Sequence, residues 1–177
     1  MLKNFSKIFF LILTSSLLIT GCRDKCDSEP NLDVDQDQLA IDVAKIDAYL
    51  ETKRAEIEAN GNTIEIHPSG IRYVIKRKGT GDRPKICDDI TVTYEGKVIS
   101  TGFSFDKSTN LTSIDLGNTI TGWQIGLPLI KDGGGDETGR ITLYIPSVYG
   151  YGATGRTTSG IPSNANLQFE VLLFDIR

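Results

Sequence analysis

Ile141-Thr-Leu-Tyr-Ile-Pro-Ser-Val-Tyr-Gly-Tyr-Gly-Ala153 is the most informative stretch of this 177-residue chain. It opens as a strand. Tyr149 and Tyr151 then lie two residues apart, and the glycines beside them let the backbone turn away. Upstream stand Phe105-Asp106 and Gly122-Trp123, the latter holding the only tryptophan. A lone tryptophan that opens a short apolar segment is a natural pocket floor. Phe105, Trp123, Tyr151, Ile161 and Phe169 come from separate segments and share an apolar character. Together they predict an apolar bowl whose few polar groups are Asp106 and the Tyr151 hydroxyl, the makeup of a small-molecule or peptide pocket.

The segments around this stretch alternate with period two. Thr63–His67, Ile71–Lys78, Ile90–Tyr94, Ser113–Leu116, the residues from Arg140 onward and Leu167–Ile176 read as strands. Pro68-Ser-Gly70 and Gly79-Thr-Gly-Asp82 read as turns. Within this region only Gly122 to Lys131 looks helical, and Pro128 limits it. Mostly antiparallel strands with one short helix predict an α+β domain over residues 61–177, long enough for one core. Before it, Leu39, Val43, Ile46 and Leu50 make one apolar stripe, which predicts an amphipathic helix over 38–60. Asp35 or Asp37 caps its start, and Asn60-Gly61 ends it. The stripe must be covered by its own domain or by a second copy. We expect the former, which leaves the chain a monomer.

The chemistry can be narrowed by elimination. His67 is the only histidine, and no Gly-x-Ser-x-Gly motif accompanies it. His67, Cys26 and Cys87 match no zinc-binding spacing. Gly133-Gly-Gly135 lacks the Lys-Ser/Thr of a phosphate loop and is followed by Asp136 and Glu137. No metal or cofactor is therefore expected.

The fragments "VTYEG" (92–96), "FD" (105–106), "LG" (116–117), "ITGW" (120–123), "LYIPSVYGYGATG" (143–155), "GIP" (160–162) and "LQFEVLLFDI" (167–176) occur in order. With their spacing, they resemble the FKBP-type peptidyl-prolyl isomerases over residues 71–177. The resemblance implies a sheet wrapped around one short helix, and a pocket acting on proline-containing polypeptides. It implies Trp123 as the floor, Tyr94, Phe105 and Phe169 as walls, and Ile120 and Ile161 as rim. It also implies a Tyr151 hydroxyl that bonds a substrate carbonyl and an Asp106 that holds neighbouring polar groups. The chain departs from the family at Thr112, where many members carry an aromatic, and at Thr119, where a valine is usual. The loop 117–122 is shorter, the loop 131–139 is longer, and the segment 155–160 corresponds to a loop that overhangs the site. Two other functions fit the same features. One is a low-turnover peptide-binding chaperone; the other is a docking lipoprotein on the same fold.

The N-terminus sets the compartment. Lys3 and Lys7 precede an apolar run from Ile8 to Thr20, too short to span a membrane comfortably. The run ends in Leu18-Ile-Thr-Gly-Cys22, which resembles a bacterial lipobox. We therefore expect a signal peptide over 1–21, lipidation of Cys22, and a polar tether over 22–37. This places the protein on the bacterial cell envelope, anchored in the membrane by its lipid. Of 19 basic and 23 acidic residues, cleavage removes Lys3 and Lys7 and no acid, leaving 17 basic and a net charge of −6. No basic cluster remains, so nucleic acid is not an expected partner. Cys26 and Cys87 either pair, as such a compartment permits, or stand as separate thiols.

Overall fold

The computed structural model describes residues 28–177. The expected signal peptide, the lipidated Cys22 and Cys26 lie outside the described residues. Cys87 is disulfide-bonded.

Helix α1 spans Gln36–Ala59. Its N-cap is Asp35, whose side chain accepts the Gln38 N–H and satisfies one of the orphan donors of the first turn. Six strands follow: β1 Glu65–Ile66, β2 Arg72–Arg77, β3 Asp89–Val98, β4 Ser104–Asp115, β5 Gly139–Ile145 and β6 Leu167–Ile176. They form one antiparallel sheet in the order β1-β2-β5-β6-β3-β4. Helix α2, Thr121–Gly126, is the short helix expected between β4 and β5. It gives way at Pro128 to a 3-10 turn over Leu127–Leu129, as a proline at that point requires.

Two strands differ from the sequence-based expectation. The alternating run Thr63–His67 is reduced to the two-residue β1. β4 begins at Ser104, well before Ser113. It is an edge strand and mostly exposed, so its inward positions need not be apolar, and its Ser, Thr, Asn and Lys residues hide the period.

The core lies between the sheet and α2. Ile71, Ile90, Val92, Leu116, Leu127, Ile130, Ile141, Leu143, Leu167 and Leu173 are fully buried there. α2 approaches β5 closely because Gly122 and Gly126 face it. A Cβ on Gly122 would sit 2.4 Å from Ile145 Cγ2, and one on Gly126 would sit 2.5 Å from Leu143 Cδ2. The helix therefore docks backbone-first, and its Trp123 packs against Tyr94 and Phe169 of the sheet.

α1 lies on its own domain. Ile46 and Leu50 are buried with Val74 and Tyr144 on the sheet face opposite the main core. Arg72 makes a two-pronged bond to Asp47, with Nε on Oδ1 at 2.7 Å and Nη2 on Oδ2 at 2.8 Å. The Tyr49 hydroxyl bonds Gln168 Oε1 at 3.2 Å. Ahead of the helix, Val34 already packs against the main core.

Gly122→Ala should lower unfolding stability by about 1–3 kcal/mol, the usual cost of forcing a methyl into a filled contact. Gly134→Ala, where an added Cβ meets nothing within 4 Å, should stay within about 0.5 kcal/mol. Chemical denaturation of the two variants beside the wild type measures the difference.

Candidate active site

A cleft of about 470 Å³ opens between the concave sheet face and the loops around α2. Each neighbouring element contributes to it. β3 supplies Tyr94, β4 supplies Asp106 and Ile114, and the approach to α2 supplies Asn118, Thr119 and Ile120. α2 supplies Trp123, the turn after β5 supplies Tyr151 and Arg156, and β6 supplies Phe169.

The floor is an edge-to-face aromatic cluster. Tyr94 and Trp123 meet with ring centroids 5.2 Å apart at 85°, and Trp123 and Phe169 meet at 5.3 Å and 87°. Phe105 adds a third perpendicular pair with Phe169, at 5.5 Å and 84°. Such T-shaped contacts fix ring orientation as well as burying area. Gly96 makes the cluster possible. It pairs with Phe169 on β6 and with Asp106 on β4, and a Cβ there would lie 2.6 Å from Phe169 Cε1 and 2.7 Å from Phe105 Cζ.

The polar groups are few. The Tyr94 hydroxyl donates to Asp106 Oδ2 at 3.0 Å. Burial first, and then the hydrogen bond and the charge of Asp106, push the Tyr94 phenol up to about 12. Arg156 Nη1 donates to the Tyr151 hydroxyl at 3.4 Å, and its guanidinium carbon lies 5.7 Å from that ring's centroid. The Trp123 indole nitrogen is buried and has no hydrogen-bond partner among the described residues.

Tyr151 is set by its turn. The Ser147 carbonyl accepts the N–H of Gly150 at 2.9 Å and of Gly152 at 2.8 Å, so the backbone on both sides of Tyr151 is tied to one residue. Tyr149 is buried at 2% exposure and packs in the core.

Of the residues singled out from the sequence, Tyr94, Asp106, Ile120, Trp123, Tyr151 and Phe169 line one cleft. Phe105 stands edge-on to Phe169 and is not among the lining residues. Ile161, expected at the rim, is 1% exposed and belongs to the core. It pairs by two backbone hydrogen bonds with Arg156, which does reach the cleft. Thr112 does not line the cleft. Its hydroxyl bonds Ser108 Oγ at 2.6 Å, and the wall position falls to Ile114. Ile114, Asn118 and Arg156 were missed. Arg156 sits in the overhanging segment but carries no local pattern that marks it. A smaller cleft, of about 260 Å³, lies between α1 and the opposite sheet face. It is lined by Tyr49 and Tyr144, whose rings meet at 6.2 Å, and by ion-paired groups such as Lys76 and Glu170.

A family model described as FKBP-type peptidyl-prolyl cis-trans isomerase matches residues 81–174, more than half of the chain. The chain is 34% identical to the FKBP-type peptidyl-prolyl cis-trans isomerase FkpA of Buchnera aphidicola subsp. Baizongia pistaciae, over 94% of this chain and 71% of that protein. It is 30% identical to the FkpA of Escherichia coli strain K12, over 93% of this chain and 65% of that protein. The chain thus spans about two thirds of the length of these relatives. The crystal structure of FkpA from Escherichia coli superposes with a TM-score of 0.61 at 33% identity, covering 80% of this chain and 64% of that one. A peptidyl-prolyl cis-trans isomerase from Pseudomonas syringae pv. tomato gives 0.57 at 27% identity, over 73% and 94% respectively.

The Tyr94 phenol supplies a test of the local electrostatics. Its pKa is raised on folding, so the stability it contributes is fully present below pH 10 and is lost as pH rises through about 12. In a spectrophotometric titration, Asp106→Asn should move one tyrosine back towards 10 while burial retains part of the shift. An unchanged titration would mean that Asp106 does not act on Tyr94.

Proposed function

We propose that this chain, which belongs to the FKBP-type peptidyl-prolyl cis-trans isomerase family, interconverts Xaa-Pro bonds in its aromatic cleft and does so at a bacterial cell envelope. The observation that carries the reading is the perpendicular cluster of Tyr94, Trp123 and Phe169 under an open cleft with few polar groups.

Rotation about a Xaa-Pro bond breaks no σ bond, so the site needs no nucleophile. The barrier for a peptide bond is about 18–20 kcal/mol and arises from amide resonance. The planar amide is more dipolar than the twisted one, and water stabilises it. An apolar cleft takes that water away and favours the twisted state. Trp123 is the floor under the proline ring, Tyr94 and Phe169 are walls, and Ile120 stands at the rim. Phe105 holds Phe169 in place, and Ile161 fixes the loop that carries Arg156. The Tyr151 hydroxyl donates to a substrate carbonyl, an interaction that counts towards rate only insofar as it fits the twisted geometry better. Asp106 holds the Tyr94 hydroxyl, which keeps that ring upright. The apolar rim favours an apolar residue before the proline.

The envelope location and the lipid anchor rest on the lipobox-like Leu18-Ile-Thr-Gly-Cys22 and the charged start before it. With Cys22 carrying lipid, the domain works within reach of a membrane on exported chains. Cys22→Ala expressed in a bacterium should lose incorporation of labelled fatty acid. Incorporation at the wild-type level would refute the anchor and leave the domain's chemistry untouched.

Exchange measured by NMR on a Leu-Pro peptide tests the activity. Phe105→Ala lets water behind Phe169, so binding and rate should both fall. Tyr151→Phe removes one hydrogen bond, a net of about 0.5–1.5 kcal/mol, so the rate should fall by roughly tenfold at most. No acceleration by folded wild-type protein would leave a peptide-binding module instead of an enzyme. An unchanged rate in Phe105→Ala would place the working surface elsewhere.

A further inference from the structure

Asp42 is the one fully buried carboxylate among the described residues, at 0% exposure. It lies on α1, outside the cleft, and two of its partners, Ser147 and Asn166, stand more than a hundred residues away in sequence. Its Oδ2 accepts the Ser147 N–H at 2.8 Å and the Ser147 hydroxyl at 2.5 Å. Its Oδ1 accepts Gln38 Nε2 at 2.8 Å. Asn166 completes the cluster: its Oδ1 accepts the same Ser147 N–H at 3.1 Å, and its Nδ2 donates to the Asp42 carbonyl at 3.2 Å.

Burying a carboxylate is costly unless donors replace its water. Docking of α1 does not require that expense. Ile46 and Leu50 already bury the helix face, and the Arg72–Asp47 pair already fixes its height. What Asp42 adds is a grip on one residue of the opposite partner, Ser147. That residue starts the turn carrying Tyr151. Asp42 holds its N–H and hydroxyl, while its carbonyl holds the N–H of Gly150 and Gly152 on either side of Tyr151. The hydrogen bonds therefore run from α1 through Ser147 to the backbone flanking Tyr151, with no gap.

We propose that Asp42 is a positioning residue for the isomerase site: it fixes Ser147, Ser147 fixes the Tyr151 turn, and α1 is thereby part of the catalytic unit. The proposal rests on the reading above that the Tyr151 hydroxyl meets the substrate. Misplacement of a reacting or bonding group by about 1 Å can cost two orders of magnitude in rate, so a carboxylate that holds a turn can act on turnover from outside the cleft.

A double-mutant cycle on the full-length protein separates this role from plain stabilisation. kcat and KM on a Leu-Pro peptide are measured for wild type, Asp42→Ala, Tyr151→Phe and the double variant, below the melting range of each. Asp42→Ala should lower kcat by roughly fivefold, a loss on the scale of one hydrogen bond, with little change in KM. In the Tyr151→Phe background the same substitution should lower kcat by less than about twofold, because the group it positions is gone. Asp42→Asn keeps an acceptor and should recover part of the loss. A residue that only stabilises the fold would reduce the active fraction equally in both backgrounds. Losses that multiply in the double variant, or full kcat in folded Asp42→Ala, overturn the proposal. If Asp42→Ala does not fold, Ser147→Ala removes the 2.5 Å hydroxyl bond and enters the same cycle with the same two outcomes. If Tyr151→Phe alone leaves kcat unchanged, the role given to the Tyr151 hydroxyl fails and the positioning role falls with it. Multiplying losses with an active Tyr151 would sink the positioning role alone.

Discussion

Helix α2 lies against β5 at a distance that only a helix face without side chains allows. Gly122 and Gly126 supply that face, with Ile145 and Leu143 pressed where their side chains would be. The contact sets the height of Trp123 above the sheet, and the rest of the cleft is built on that height. Tyr94 and Phe169 can meet the indole edge-on only if it sits low. Gly96 does the same from the sheet side, leaving room for Phe169 and Phe105 to cross at right angles. Missing side chains at three positions thus make room for the aromatic floor.

That floor explains why the site can be chemically plain. On the proposed reading its work is to exclude water from an amide and to present a few oriented dipoles to it. Asp106 is occupied by Tyr94, whose phenol stays protonated up to about 12. Tyr94 therefore remains neutral and fixed across the physiological range. Arg156 brings a cation to the rim beside the Tyr151 hydroxyl, and its backbone is held by the buried Ile161. Asp106 and Arg156 are the two charged residues that line the cleft.

Much of this was legible in the sequence, for physical reasons. Strands β3 and β6 alternate in burial because one face meets the core, and Trp123, Tyr151, Phe169 and Tyr94 announce themselves by residue type and motif. What was not legible depends on contacts far apart in the chain. β4 hides because an edge strand can be polar on both faces. Ile114 and Arg156 look like ordinary residues until the sheet and the overhanging loop bring them to the cleft. Ile161 has the composition of a rim residue but is buried in the core, where its backbone pairs with Arg156. Asp42 is the clearest case. It sits beside the apolar stripe Leu39, Val43, Ile46 and Leu50 and reads as the helix's solvent face. Only the arrival of Ser147 and Asn166 turns that position into the buried one.

On the proposed reading this isomerase works by taking water from the amide, with no proton transferred in the rate-limiting step. The most direct measurement is kcat/KM on a Leu-Pro peptide from pH 6 to 9, in light and in heavy water. A flat profile and a solvent isotope ratio of about one are expected, since Tyr94 stays neutral over that range and twisting moves no proton. A profile that changes by roughly tenfold across a single titration, with a solvent isotope ratio of about two or more, would show general acid–base catalysis and contradict it.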